Sequence, residues 1–73
     1  ILILDFKTDR PAPNDSAAAP DSYVLQLALY REVLRKIFPR KIVSCALLWT
    51  EKPLLMPLPD AKLDDVFATF ARG

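Results

Sequence analysis

Histidine is absent from this chain, and cysteine and glycine occur once each. Without histidine, neither a zinc site built on Cys and His nor a catalytic triad with a histidine base can be assembled from these residues. The lone Cys45 cannot close an internal disulfide, and its place inside an apolar run reads as a buried core position. The single glycine, Gly73, leaves no Gly-rich loop to cradle a nucleotide phosphate. Neither sign of charge dominates: ten Lys and Arg face nine Asp and Glu, a net charge of +1. That balance argues neither for nor against nucleic acid, so function has to be read from local constellations. No stretch reaches the roughly 18 to 20 apolar residues of a membrane span, and no charged leader precedes an apolar segment. The expectation is a soluble, cytoplasmic parent protein.

What is present is a packed piece: 52% hydrophobic residues with seven prolines across 73 positions. A domain this small buries only about 60% of its unfolded surface, so its core is marginal. The chain starts at Ile1, inside what reads as a strand, which suggests a piece of a longer protein. Ile1 to Thr8 is apolar at 1 to 4 and 6, and is predicted to be a buried central strand that delivers Asp5 and Lys7 to one face at its end. Residues 9 to 20 hold prolines at 11, 13 and 20 and form a loop. A helix follows from Tyr23 to Ile37, with Asp21 or Ser22 as N-cap. Tyr23, Leu27, Tyr30, Leu34 and Ile37 line its apolar stripe, while Arg31, Glu32, Arg35 and Lys36 occupy most of the remainder. Gln26 lies at the edge of the stripe, one turn before Tyr30.

Ile42 to Thr50 is too continuously apolar for a solvent-facing strand and reads as a second interior strand. Strand, helix, strand implies a right-handed crossover with the two strands parallel, so that Asp5 to Lys7 and Trp49 to Thr50 end on the same side of the sheet. A turn at Glu51-Lys52-Pro53 leads to a short strand, Leu54 to Leu58, whose Pro57 confines it to a sheet edge. Asp60 is expected to cap a last helix with Leu63, Val66, Phe67 and Phe70 on one stripe and Lys62, Asp64 and Asp65 exposed. The predicted fold class is α/β, in the order β-α-β-β-α with a mixed sheet.

A bare Asp-x-Lys is usually a strand-end salt bridge. Here both charges end an otherwise apolar strand, where burial is costly unless they are paired, hydrogen-bonded or bound to a metal. The chemistry that suits them is phosphodiester hydrolysis. Carboxylates are hard ligands for Mg²⁺, which acidifies water and neutralises charge in the transition state. A neighbouring lysine adds positive charge or orients the attacking water. One carboxylate is too few, since Mg²⁺ requires further oxygen donors.

Ile3-Leu4-Asp5-Phe6-Lys7-Thr8-Asp9, followed by Tyr23-Val24-Leu25-Gln26-Leu27-Ala28-Leu29-Tyr30, resembles the last two motifs of the RecB-type nuclease family in the PD-(D/E)XK superfamily. That family shows a D-[YF]-K-T strand and then a Y-x-x-Q-L-x-x-Y helix. Phe38-Pro39 and Ala46-Leu47-Leu48-Trp49-Thr50-Glu51 extend the likeness to the C-terminal end of the AddA-like helicase-nucleases, in their alphaproteobacterial form. The resemblance implies a fragment of a restriction-endonuclease-like core spanning residues 1 to 73. Asp5 would be a metal ligand and catalytic residue, Phe6 would offer its backbone carbonyl to the same metal, and Lys7 would be the catalytic lysine. Gln26 and Tyr30 would border the active site, contacting DNA or bracing the catalytic strand.

The resemblance further implies a parent that unwinds and degrades DNA ends in double-strand-break repair and recombination, with Mg²⁺ or Mn²⁺ in the nuclease, ATP in a helicase motor and an AddB-like partner subunit. The family's upstream His or Glu and its G-x-[IV]-D-R hairpin have no counterpart in these residues, nor does the motor. The isolated chain is therefore expected to be inactive, and to self-associate through an exposed sheet edge. Two other readings stand beside this one. In the first, the chain is a non-catalytic α/β interaction module with Asp5 and Lys7 as a structural pair. In the second, it belongs to another RecB-like nuclease, CRISPR-associated or phage-borne.

Overall fold

The computed structural model describes residues 1–8 and 12–73. Its elements run β1 (Leu2–Lys7), α1 (Asp21–Ile37), β2 (Ser44–Trp49), β3 (Leu54–Leu58) and α2 (Asp60–Arg72), with a single 3₁₀ turn at Ser16–Ala18 before α1. This is a small α/β unit whose three strands form one mixed sheet in the order β1-β2-β3. β1 pairs with β2 in parallel, setting Ile3 against Cys45, Asp5 against Leu47 and Lys7 against Trp49. β2 pairs with β3 antiparallel, setting Trp49 against Leu54, Leu47 against Met56 and Cys45 against Leu58.

These register pairs share one face of the sheet because strand side chains alternate. The core lies on that face: Cys45, Leu47, Trp49, Met56 and Leu58 are buried there with Val24, Leu27 and Ala28 of α1 and Leu63 of α2. Trp49 is the largest fully buried side chain. The opposite face carries Leu2, Leu4 and Phe6 of β1 and Leu55 of β3, all exposed. The expectation of a buried central strand at Ile1 to Thr8 is thus corrected. β1 is an edge strand with one apolar face open, and β2 is the central strand. A strand apolar on both faces fits a sheet covered on both sides, and among the described residues this sheet has helices on one side only.

Both helices begin in the same way. Pro20, at φ −56° and ψ 135°, accepts the N–H groups of Tyr23 and Val24 at its carbonyl, 3.0 and 3.3 Å away. Pro59 does the same for Lys62 and Leu63 at 3.0 and 3.2 Å. Proline's fixed φ presents the carbonyl with less loss of chain entropy on folding, and the aspartate that follows sits at the positive end of the helix dipole. The expected side-chain caps are corrected accordingly: Asp21 and Asp60 are the first helical residues, and neither helix has a side-chain N-cap bond. At the other end of α1, Phe38 N–H bonds the Leu34 carbonyl at 2.8 Å before Pro39 stops the helix.

The buried stripe of α1 is Val24, Leu27, Ala28 and Arg31. It is rotated from the predicted stripe, since Tyr30 and Ile37 are 51% and 60% exposed. Arg31, expected on the polar side, is fully buried, and its guanidinium pairs with Asp60 at 3.2 Å and more closely with Asp64. Asp64, expected simply to face solvent, thereby ties α2 to α1. Lys62 reaches Asp21 at 3.4 Å and adds a second link between the helices.

Candidate functional site

The site is built at the end of β1. Asp5 and Lys7 alternate onto the helix-covered face, where both are half-buried. Lys7 Nζ lies 2.8 Å from Asp5 Oδ2. That oxygen is buried and, among the described residues, has no directed hydrogen bond, so its contact with Lys7 is a charge pair out of hydrogen-bond alignment. The strand spacing of roughly 6 to 7 Å is bridged by the length of the lysine side chain.

On its other side, the Lys7 ammonium sits over the ring of Tyr23, 4.1 Å from the centroid. Tyr23 is in the first turn of α1 and packs against Trp49, with ring centroids 6.1 Å apart and planes inclined at 46°. Trp49 stands beside Lys7 in the parallel register, and its buried indole Nε1 has no hydrogen-bond partner among the described residues. The backbone here is pinned as well. Thr50 donates both its N–H and its hydroxyl to the Lys7 carbonyl, at 2.9 and 3.2 Å.

With the Lys7 carbonyl turned toward β2, strand alternation turns the Phe6 carbonyl toward the open edge. Asp5 and Phe6 therefore supply two hard oxygen donors at neighbouring positions, of the type Mg²⁺ or Mn²⁺ takes. They are the right type of donor but too few, and among the described residues no group of three or more His, Cys, Asp or Glu could hold a metal ion. Asp9, the other acid of the motif, lies outside the described residues, as does the first part of the predicted loop.

The rest of that loop is anchored near the same sheet end. Ala12 packs on the core, and its N–H donates to Glu51 Oε2 at 3.0 Å, immediately after Thr50. Asp15 Oδ1 accepts from Ala18 N–H at 3.1 Å and fixes the 3₁₀ turn that buries Ala19.

Gln26 and Tyr30 are on the outer flank of α1. Gln26 Nε2 donates to Tyr30 Oη at 3.3 Å, and both side chains are exposed. Tyr30 lines an apolar hollow of about 480 Å³ with Ile3, Val33 and Leu34. Tyr23 over Lys7 and Tyr30 beside Ile3 show that α1 runs back along β1, and Gln26 lies between the two tyrosines on the helix. Among the described residues, no hydrogen bond or ion pair joins Gln26 or Tyr30 to Asp5 or Lys7.

The parts that residue types alone did not point to are Tyr23, Trp49 and Thr50 as supports for Lys7. A signal for them existed: a parallel crossover sets Trp49 and Thr50 beside the end of the first strand. The remaining chemical group, Cys45, is buried, with its Sγ 3.7 Å from the Leu27 carbonyl, and burial raises its thiol above the ordinary range. That state is opposite to an activated nucleophile.

Comparisons with protein-family models, with curated proteins and with solved structures find no match to this chain. Among the described residues, no helix is long and apolar enough to cross a membrane.

Proposed function

We propose that this chain is the C-terminal nuclease segment of an AddA-like, ATP-dependent DNA helicase-exonuclease, of RecB type within the PD-(D/E)XK superfamily. Its parent acts in the cytoplasm, with an AddB-like subunit, on DNA ends during double-strand-break repair and recombination. The observation that carries this reading is the Asp5–Lys7 pair at the end of β1, half-buried beneath the helix that bears Gln26 and Tyr30. The β1-α1-β2-β3-α2 order with a mixed sheet is compatible with part of a restriction-endonuclease-like core.

In this reading Asp5 and the Phe6 carbonyl hold Mg²⁺ or Mn²⁺ together with donors from outside the described residues. The ion supplies charge neutralisation at the phosphate and a more acidic water. Lys7 contributes a fixed positive charge beside the reacting phosphate and an N–H donor that orients the incoming water. Hydrolysis would add a water's oxygen to phosphorus and break one phosphorus–oxygen ester bond, with the departing sugar oxygen taking up a proton. Gln26 and Tyr30, exposed along α1, are the residues for DNA contact or for bracing β1. With two oxygen donors at the pair among the described residues, the 73-residue chain is expected to be inactive alone, and ATP hydrolysis belongs to a separate motor.

The test is Lys7→Ala in the full-length protein that carries this chain. Loss of DNA cleavage by at least about a hundredfold, the scale of one removed electrostatic or acid–base group, with ATP-driven unwinding retained, is the expected result. Cleavage that survives the substitution would overturn the assignment. The second reading, a non-catalytic interaction module, is favoured by the exposed apolar residues Leu2, Leu4, Phe6 and Leu55 on the uncovered sheet face. Under it, Lys7→Ala leaves DNA processing untouched.

A further inference from the structure

Lys7 has two partners of different kinds: the Asp5 carboxylate, 2.8 Å from Nζ, and the face of Tyr23, whose centroid is 4.1 Å away. Under the nuclease reading, on which the chemical meaning of this inference rests, these partners are not equivalent. A divalent ion held by Asp5 takes most of the carboxylate's charge and at the same time repels the nearby ammonium. A lysine placed by Asp5 alone would then drift from the phosphate just when the metal arrives. A ring face does not compete for a hard metal, and it attracts an ammonium through its quadrupole.

We propose that Tyr23 is the positioning residue for Lys7. Its ring keeps the ammonium at the end of β1 independently of the charge state or occupancy of Asp5. Two features fix that ring, and a third fixes the lysine over it. Tyr23 lies in the first turn of α1, and its own N–H is bonded to the Pro20 carbonyl at 3.0 Å. It leans on Trp49, which is fully buried and stands beside Lys7 in the sheet. Thr50 holds the Lys7 carbonyl from the same end of β2, so that both ends of the lysine are supported by β2, the backbone directly and the ammonium through Trp49 and Tyr23.

The experiment is NMR of the Lys7 ε-methylene in the 73-residue chain, whose protons are shifted upfield by the ring current of an aromatic face beneath them. The upfield shift is expected to persist in Asp5→Asn, which removes the competing charge, and in Tyr23→Phe, which keeps the face. It is expected to vanish in Tyr23→Leu, with the backbone amide spectrum confirming that the fold is retained. Loss of the shift in a folded Asp5→Asn chain, or its survival in Tyr23→Leu, would overturn the proposal. Should Tyr23→Leu not fold, the Asp5→Asn and Tyr23→Phe spectra still decide. None of these readings depends on DNA cleavage. Failure of the nuclease assignment, seen with Lys7→Ala in the parent, is therefore distinguishable from failure of this one.

Discussion

Cys45 shows how much of a residue's chemistry its surroundings decide. It is buried against the Leu27 carbonyl, and desolvation raises its thiol above the ordinary value, with nearby Arg31 only partly opposing the shift. The folded chain thus favours the protonated thiol, while the unfolded chain ionises near its usual pKa of about 8.5. Stability linked to this group is therefore fully present below that value and is lost as pH rises from there through the raised folded value. Urea denaturation should show the midpoint falling above about pH 8.5 in the wild type and falling less in Cys45→Ala, once the alanine baseline is subtracted. Equal declines in both chains would rule the effect out. At the same scale, Asp5, Lys7, Gln26 and Tyr30 were legible in the sequence as a spaced set. The placing of the Lys7 ammonium on Tyr23 was not, because it depends on which turn of α1 faces the end of β1.

Between elements, the decisive contact is Arg31 with Asp60 and Asp64. The guanidinium is fully buried and one of its nitrogens, Nε, has no hydrogen-bond partner among the described residues, whereas the two carboxylates are largely exposed. The costs of breaking this group are therefore unequal. Removing both acids leaves the buried charge with Glu32 alone, 4.0 Å away, and breaking a buried pair of this kind costs about 3 to 5 kcal/mol. Removing the arginine leaves two aspartates that water can solvate, and a flexible apolar side chain of similar length can fill the space. Asp60→Asn with Asp64→Asn is thus expected to destabilise the chain by about 3 kcal/mol, and Arg31→Met by less than about 1.5 kcal/mol. Chemical denaturation checks the order, and a larger loss in Arg31→Met would contradict it. The element types and their order could be read from periodicity and prolines. The rotation of α1 could not, because an arginine breaks the apolar stripe and its burial becomes tolerable once Asp60 and Asp64 of α2 pair with it, alongside Glu32.

For the whole molecule, what matters is what the sheet leaves open. Strand alternation, with the Ile1 and Lys7 carbonyls bonded to β2, turns the backbone groups of Leu2, Leu4 and Phe6 outward along the β1 edge. The same residues expose their side chains, at 59%, 39% and 61%, on the uncovered face. The composition of this edge is that of a strand covered on both sides, and composition does not say whether the cover comes from the same 73 residues. An unpaired apolar edge is a template for a further strand, and a second copy of β1 fits it. An antiparallel pairing centred on Leu4 sets Leu2 opposite Phe6 of the second copy and uses every outward backbone group. Centring on Asp5 instead would oppose two like charges. Such pairing lengthens the apolar face without covering it, so association should grow with concentration. Light scattering is expected to give a mass above the 8.2 kDa of one chain and rising with concentration. Leu4→Lys should return the chain to monomer without loss of helical signal, because an edge lysine resists strand pairing. Hydrogen exchange should find the Leu2, Leu4 and Phe6 amides protected only in the associated form. A monodisperse 8.2 kDa species across the concentration range would sink the pairing and leave the β1 edge solvated.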